Sequence, residues 1–245
     1  MFVEEAEWIN ARLAGLPLRA GARVLDIGSS TLEYRTVHQP HITELVHRPL
    51  LERGCLLTCG DIKEGEGVDL VIDLSRGDLP ASAFADPYDL VICSNILEHI
   101  VDRDTFMSNV LRFCAMPGYL ICTVPYAFPY HADPIDTMYR PDTDELIRFI
   151  RQHTPGAVEA AGIVRIDDAS YYEFRPGRIL DHLLLRAQRA RLRWHLKPLR
   201  YKVSCVLLRT PANDGADPHE WLGRHMAEPS VSYSVRRYPR VVLHD

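Results

Sequence analysis

Four kinds of signal are missing from this 245-residue chain, and each absence narrows its function. No apolar run reaches the roughly 18 residues that a membrane-spanning helix needs, so no membrane partner is expected. The first twelve residues hold Glu4, Glu5 and Glu7, with no basic stretch leading into an apolar one, and do not read as a secretory signal. None of the six cysteines stands in C-x-x-C spacing. Most lie inside apolar runs, as buried reduced thiols do, and a cytoplasmic location is expected on that ground. An excess of basic charge is missing too: the net charge is −5, so nucleic acid is not an expected partner.

What is present is an alternation of two patterns. Residues 3–16 read as an amphipathic helix with Val3, Trp8, Ile9 and Leu13 on its apolar face. Six apolar runs follow, at 23–28, 55–60, 69–74, 89–94, 119–125 and 202–208. Most lack polar alternation, as strands covered on both faces do. Helical patterns lie at 103–115, stopping at Pro117-Gly118, at 142–153, where Asp142 and Glu145 form a capping box, and at 178–194. Strands alternating with helices predict an α/β fold, a doubly wound and mostly parallel sheet with helices on both faces.

The most telling stretch is Val24-Leu25-Asp26-Ile27-Gly28-Ser29-Ser30. It reads as a buried strand that turns sharply at its carboxyl end, where open α/β sheets bind ligands. Gly28 lets a ligand approach the backbone, and Asp26 is expected at the mouth of the crevice. A nicotinamide-binding loop wants G-x-G-x-x-G, but the window from Gly28 to Glu33 holds one glycine of the three.

With these residues in view, the chain resembles the class I S-adenosylmethionine-dependent methyltransferases, in their small-molecule branch. The resemblance is carried by Asp26-Ile27-Gly28, by Asp61 after the second run, by Asp69 to Leu74, and by Tyr88-Asp89-Leu90-Val91-Ile92-Cys93-Ser94-Asn95 leading into Leu97-Glu98-His99. It also includes the segment Pro125 to Arg140. It implies a seven-stranded Rossmann-like sheet, S-adenosylmethionine as cofactor and methyl transfer to a small molecule, with oxygen slightly favoured over nitrogen or carbon. The implied cofactor contacts are Asp26, Gly28, Ser29, Ser30, Asp61, Ile62, Asp73, Leu74 and Asn95. His131 and His99 are the implied bases, and Tyr126, Asp133, Asp136 and Arg140 the implied acceptor contacts. No metal is expected, although His131, Asp133 and Asp136 are ligand types that could hold one.

One departure stands out. The family loop is Asp-x-Gly-x-Gly-x-Gly, whereas Ser30 and Leu32 occupy the second and third glycine positions here. A non-glycine residue with positive φ costs on the order of 1 kcal/mol. The departure keeps open a non-catalytic binding or regulatory protein on the same fold. The expected organisation is one domain over 1–210, with an N-terminal helix (1–19), a cofactor-binding half (20–150) and the rest of the sheet (151–210), then an extension over 211–245. Residues 182–212 hold eight Lys or Arg and no Asp or Glu. That run leaves open an anionic or carrier-bound acceptor. Oligomeric state is not readable.

Overall fold

The computed structural model describes residues 1–131, 134–167, 169 and 200–212. Asp133, the helical pattern at 178–194, most of the basic run and all but the first two residues of the 211–245 extension lie outside the described residues.

The chain begins with helix α1 (Val3–Gly15) and strand β1 (Arg23–Ile27). A helical stretch then runs from Tyr34 to Glu52, with two π-helical turns (Tyr34–His38, Thr43–His47) interleaved with α2 (Pro40–Ile42) and α3 (Arg48–Glu52). Next come β2 (Leu56–Asp61), β3 (Leu70–Val71), β4 (Tyr88–Ser94), α4 (Arg103–Arg112), β5 (Cys114–Ala127), α5 (Thr143–Arg151), β6 (Ala157–Ile166) and β7 (Tyr201–Arg209).

The seven strands form one sheet in the order β3-β2-β1-β4-β5-β7-β6. β1 to β5 pair in parallel, while β7 runs antiparallel to both of its neighbours, β5 and β6. All six apolar runs are strands. β6 is the addition: its apolar residues alternate with Glu159 and Arg165, so no run marks it.

Alternate residues of the central strands feed two cores. Leu25, Val91, Cys93 and Leu120 pack with Phe106, Met107 and Val110 of α4 and Leu146 and Ile150 of α5. Val24, Leu90, Ile92 and Ile121 pack with Trp8, Ile9 and Leu13 of α1 and with Val46 and Leu50. Both faces are therefore covered, which is why these strands are apolar throughout. All six cysteines are buried free thiols. Among the described residues no helix is long and apolar enough to cross a membrane.

The capping box at Asp142 is present: its carboxylate accepts from Glu145 N at 2.8 Å, and Asp142 N donates back to Glu145 at 3.0 Å. One expectation is corrected. Pro117-Gly118 does not stop a helix, because α4 already ends at Arg112. The dipeptide lies within β5, where pairing with β4 shifts register between Tyr88 and Leu90, and Gly118 N donates to Thr210 Oγ1.

The order of strands fixes where a ligand can sit. From β1 the chain moves outward through β2 and β3, then crosses back to place β4 on the other side of β1. The connections diverge between the carboxyl ends of β1 and β4, leaving a crevice there.

Candidate active site

The loop after β1 forms one wall of the crevice. Gly28 N and Ser29 N both donate to Gly60 O, at 2.8 and 3.0 Å, and Ser30 N donates to Asp61 Oδ2 at 2.8 Å. Asp61 Oδ1 accepts from Lys63 N at 2.9 Å. Each carboxylate oxygen keeps a further lone pair. Ser30 adopts φ 59°, so the left-handed backbone that glycine favours is formed by serine. The strain is met from behind by Arg35, which is buried and donates to Ser29 O, Ser29 Oγ, Ser30 O and Gly67 O. Gly67 makes room for it: at φ +78°, a Cβ there would lie 2.7 Å from the guanidinium.

Asp26 is not at the mouth of the crevice. Its carboxylate is buried and meets His47 Nε2 at 2.7 Å, and Asp26 is not among the residues lining the cavity at the ends of β1, β2 and β3. The cause is the helical stretch at 34–52, which no sequence pattern had marked and which brings His47 beneath the strand.

A cavity of about 110 Å³ opens at the ends of β1, β2 and β3. Gly28, Asp61, Ile62, Asp73, Leu74 and Ile96 are among its lining residues. Ligand pockets commonly measure roughly 300–1,000 Å³, so this enclosure accepts a flat ring while a larger ligand continues into the open crevice. Ile96 roofs Gly28: a Cβ on the glycine would fall 2.7 Å from Ile96 Cδ1. Asp73 Oδ1 accepts from Ser75 N at 2.9 Å, which turns the chain after β3.

The second wall begins at Asn95, whose backbone is also left-handed at φ 54°. Its amide donates to both oxygens of Glu5, at 2.8 and 3.0 Å. Thr123 Oγ1 donates to the same carboxylate at 2.5 Å, and Phe2 N at 3.1 Å. Glu5 is fully buried, so α1 anchors Asn95 and Thr123 from behind with a carboxylate.

Beyond Asn95, the turn Leu97–His99 carries Glu98 and His99. Thr137 N and Thr137 Oγ1 both donate to Glu98 O, at 2.8 and 2.9 Å, and hold the 134–138 segment against this turn. The rings of His99 and His131 meet edge to face, 5.1 Å between centroids. His131 Nδ1 lies 3.1 Å from Asp136 Oδ2, close enough for charge contact but not aligned for a hydrogen bond. Asp136 also accepts from Arg140 at 2.6 Å, His131 N at 2.9 Å and Met138 N at 2.8 Å. Burial pushes its carboxyl up, but these donors outweigh burial and hold it well below the usual carboxylate range. Burial and the neighbouring His99 push the His131 pKa down, which leaves an unprotonated imidazole around neutrality.

Burial has the opposite consequence for Glu98, whose carboxyl is pushed up to about 8. Folded Glu98 is protonated near neutrality, while an unfolded glutamate ionises at about 4.3. Its contribution to stability is fully present below that value and is lost as pH rises through about 8. Glu98→Gln, which mimics the protonated form, is expected to gain on the wild type by about 3–5 kcal/mol between pH 4 and pH 8. Urea unfolding at both pH values in chelator-treated buffer measures this, and parallel pH profiles for the two proteins would refute it.

No family model matches the chain, and no curated protein matches it either. Solved structures do. The MccD protein is similar over 84% of this chain and 97% of its own, at 13% identity and a TM-score of 0.53. The [4+2]-cyclase SpnF is similar over 84% of this chain and 81% of its own, at 13% identity and a TM-score of 0.50. Magnesium protoporphyrin IX methyltransferase from Synechocystis PCC 6803, a structure with bound S-adenosylmethionine, is similar over 85% and 79%, at 15% identity and a TM-score of 0.48. This chain shares the α/β Rossmann-like fold of MccD and SpnF.

On this fold, the residues singled out from sequence fall into three groups. Gly28, Ser29, Ser30, Asp61, Ile62, Asp73 and Leu74 gather around the loop and the cavity. Asn95, His99, His131, Asp136 and Arg140 lie on the opposite wall, beyond β4 and β5. Asp26 lies behind the loop, and Tyr126 lies near the end of β5, with Lys202 Nζ over its ring at 5.8 Å. Sequence reasoning missed Glu5, Arg35 and His47. Glu5 carried a signal, since it is four residues before Ile9 and eight before Leu13, on the apolar stripe of its helix. Arg35 and His47 carried none.

Proposed function

We propose that this chain transfers the methyl group of S-adenosylmethionine to a small-molecule acceptor, with oxygen favoured as the nucleophile. The observation that carries the proposal is Asp61, which stands at the carboxyl end of β2 beside the backbone of Gly28, on the rim of one apolar cavity. A carboxylate there suits a ribose diol, the apolar cavity suits an adenine ring, and Asp73 suits its amino group. The cofactor supplies an electrophilic methyl on a sulfonium. Asn95, held from behind by Glu5, is the proposed contact for the methionine end.

His131, unprotonated around neutrality and held by Asp136, takes the acceptor's proton. His99 donates its Nδ1–H to Ile135 O, which turns Nε2 toward Glu98 and makes it the secondary candidate. Tyr126, Asp133, Asp136 and Arg140 are the proposed acceptor contacts, with the domain over 1–210 as the functional unit and a cytoplasmic setting. Alignment of nucleophile and methyl in the crevice can supply about 7–11 kcal/mol of the rate enhancement.

A second reading, a protein of this fold that does not transfer methyl groups, is favoured by Ile96 over Gly28 and by the likeness to SpnF, a [4+2]-cyclase. Isothermal titration with S-adenosylmethionine and S-adenosylhomocysteine separates the two readings. The expected result is micromolar binding that Asp61→Ala weakens about 10- to 100-fold, the worth of one or two charge-assisted hydrogen bonds. Folded wild type that binds neither compound would sink the enzyme reading.

A further inference from the structure

The carboxylate of Glu98 is fully buried, and neither oxygen has a hydrogen-bond partner. Buried polar atoms are nearly always paired, and a buried acceptor with no donor demands something else. His99 Nε2 lies 3.7 Å from Glu98 Oε1, too far for a hydrogen bond. His99 Nδ1 stands 2.5 Å from Ile135 O, which fixes the ring with its proton on Nδ1 and an open lone pair on Nε2. One nitrogen of His131 completes the group, and the three ligand atoms all lie within 4.8 Å of one another.

We propose that Glu98, His99 and His131 bind a divalent transition-metal ion whose remaining coordination positions face the acceptor side of the crevice. The inference does not depend on the methyl-transfer reading, and with an ion bound it replaces the base roles of His131 and His99, because a nitrogen that ligates a metal cannot accept a proton. Ligands about 2.0–2.1 Å from a tetrahedral ion stand about 3.4 Å apart; the Glu98–His99 pair, at 3.7 Å, is already near that spacing, and the His131 nitrogen lies within 4.8 Å of both. Two imidazoles and one carboxylate suit Zn²⁺, Fe²⁺ or Mn²⁺ better than Mg²⁺ or Ca²⁺, which prefer oxygen alone.

The supporting shell has the form that metal-bound histidines show. A carbonyl holds His99, and Asp136 backs His131, itself fixed by Arg140 and two backbone N–H groups. His131 is about one-third exposed, which gives an ion a way in. Three protein ligands leave at least one position open, and an acceptor hydroxyl that took it would lose its proton more readily. The sequence offered His131 with Asp133 and Asp136 as ligand types. The structure selects different partners, because Asp136 is taken up by Arg140.

The test uses full-length protein stripped with a chelator and dialysed, with no S-adenosylmethionine present. Titration with Zn²⁺ and Mn²⁺ is expected to show one ion per chain, and Co²⁺ to give visible ligand-field bands of a nitrogen–oxygen site. His99→Ala, His131→Ala and Glu98→Gln are each expected to weaken binding about 10- to 100-fold or more. Circular dichroism checks that the variants fold. Absence of Co²⁺ bands and of Zn²⁺ binding in the wild type would overturn the proposal, as would binding unchanged in all three variants. S-adenosylmethionine titrated into the same stripped protein reports on the cofactor site separately, so the two readings fail independently.

Discussion

Glu5→Ala is expected to lower the unfolding free energy by about 3–5 kcal/mol, an unusually large effect for a charged residue in the first turn of a helix. The carboxylate is fully buried and ties α1 to the ends of β4 and β5 through Asn95 and Thr123, which lie 90 and 118 residues away in sequence. Truncation removes the acceptor and leaves the Asn95 amide and the Thr123 hydroxyl without partners in a buried site, at about 1–3 kcal/mol each. Glu5→Gln keeps one acceptor oxygen and is expected to lose roughly half as much. Asn95 also loses what holds its left-handed backbone, so cofactor affinity is expected to fall with stability. Urea unfolding and calorimetric titration read the two effects, and a loss below about 1 kcal/mol for Glu5→Ala would refute the account.

Arg35→Met is expected to have a comparable cost and a more local signature. Methionine fills much of the space but cannot donate to the Ser29, Ser30 and Gly67 carbonyls that the guanidinium now joins. Losing the donor to a buried cluster of acceptors costs about 3–5 kcal/mol. Lysine is expected to restore little, since one ammonium cannot span the fork. Hydrogen exchange is the direct readout. Protection of the amides of Gly28, Ser29 and Ser30, which donate to Gly60 and Asp61, is expected to fall while that of β4 and β5 is kept. Uniform loss across the sheet would mean that Arg35 supports the whole fold and not the loop in particular.

The central sheet was legible because strands buried on both faces must be apolar at every position, and Val24-Leu25 or Leu90-Val91-Ile92-Cys93 can be little else. β6 hid because one side is partly open to solvent and Glu159, Gly162 and Arg165 interrupt its apolar residues. The sharp turn after β1 was legible from Gly28, but its support was not. Arg35 and His47 act through space from a helical stretch broken by π-turns and prolines, which carries no clean 3.6-residue period. The same limit applied to Asp26, whose place in the sequence says nothing of which neighbour claims its charge. Leu97-Glu98-His99 was visible as a motif, but the contact between His99 and His131 depends on Thr137 binding the Glu98 carbonyl, a tertiary fact.

The place of β7 has a consequence during synthesis. β7 lies between β5 and β6, although it is the last of the seven strands in the chain. A ribosome that has finished β5 must add roughly 70 more residues before that strand gains its outer partner, a wait of about 4–15 s at ordinary elongation rates. Over that interval Leu120, Ile121, Cys122 and Val124 form an apolar strand with one unpaired edge. The half-made chain, more than the finished protein, is where this sequence is open to aggregation and where a chaperone has most to protect.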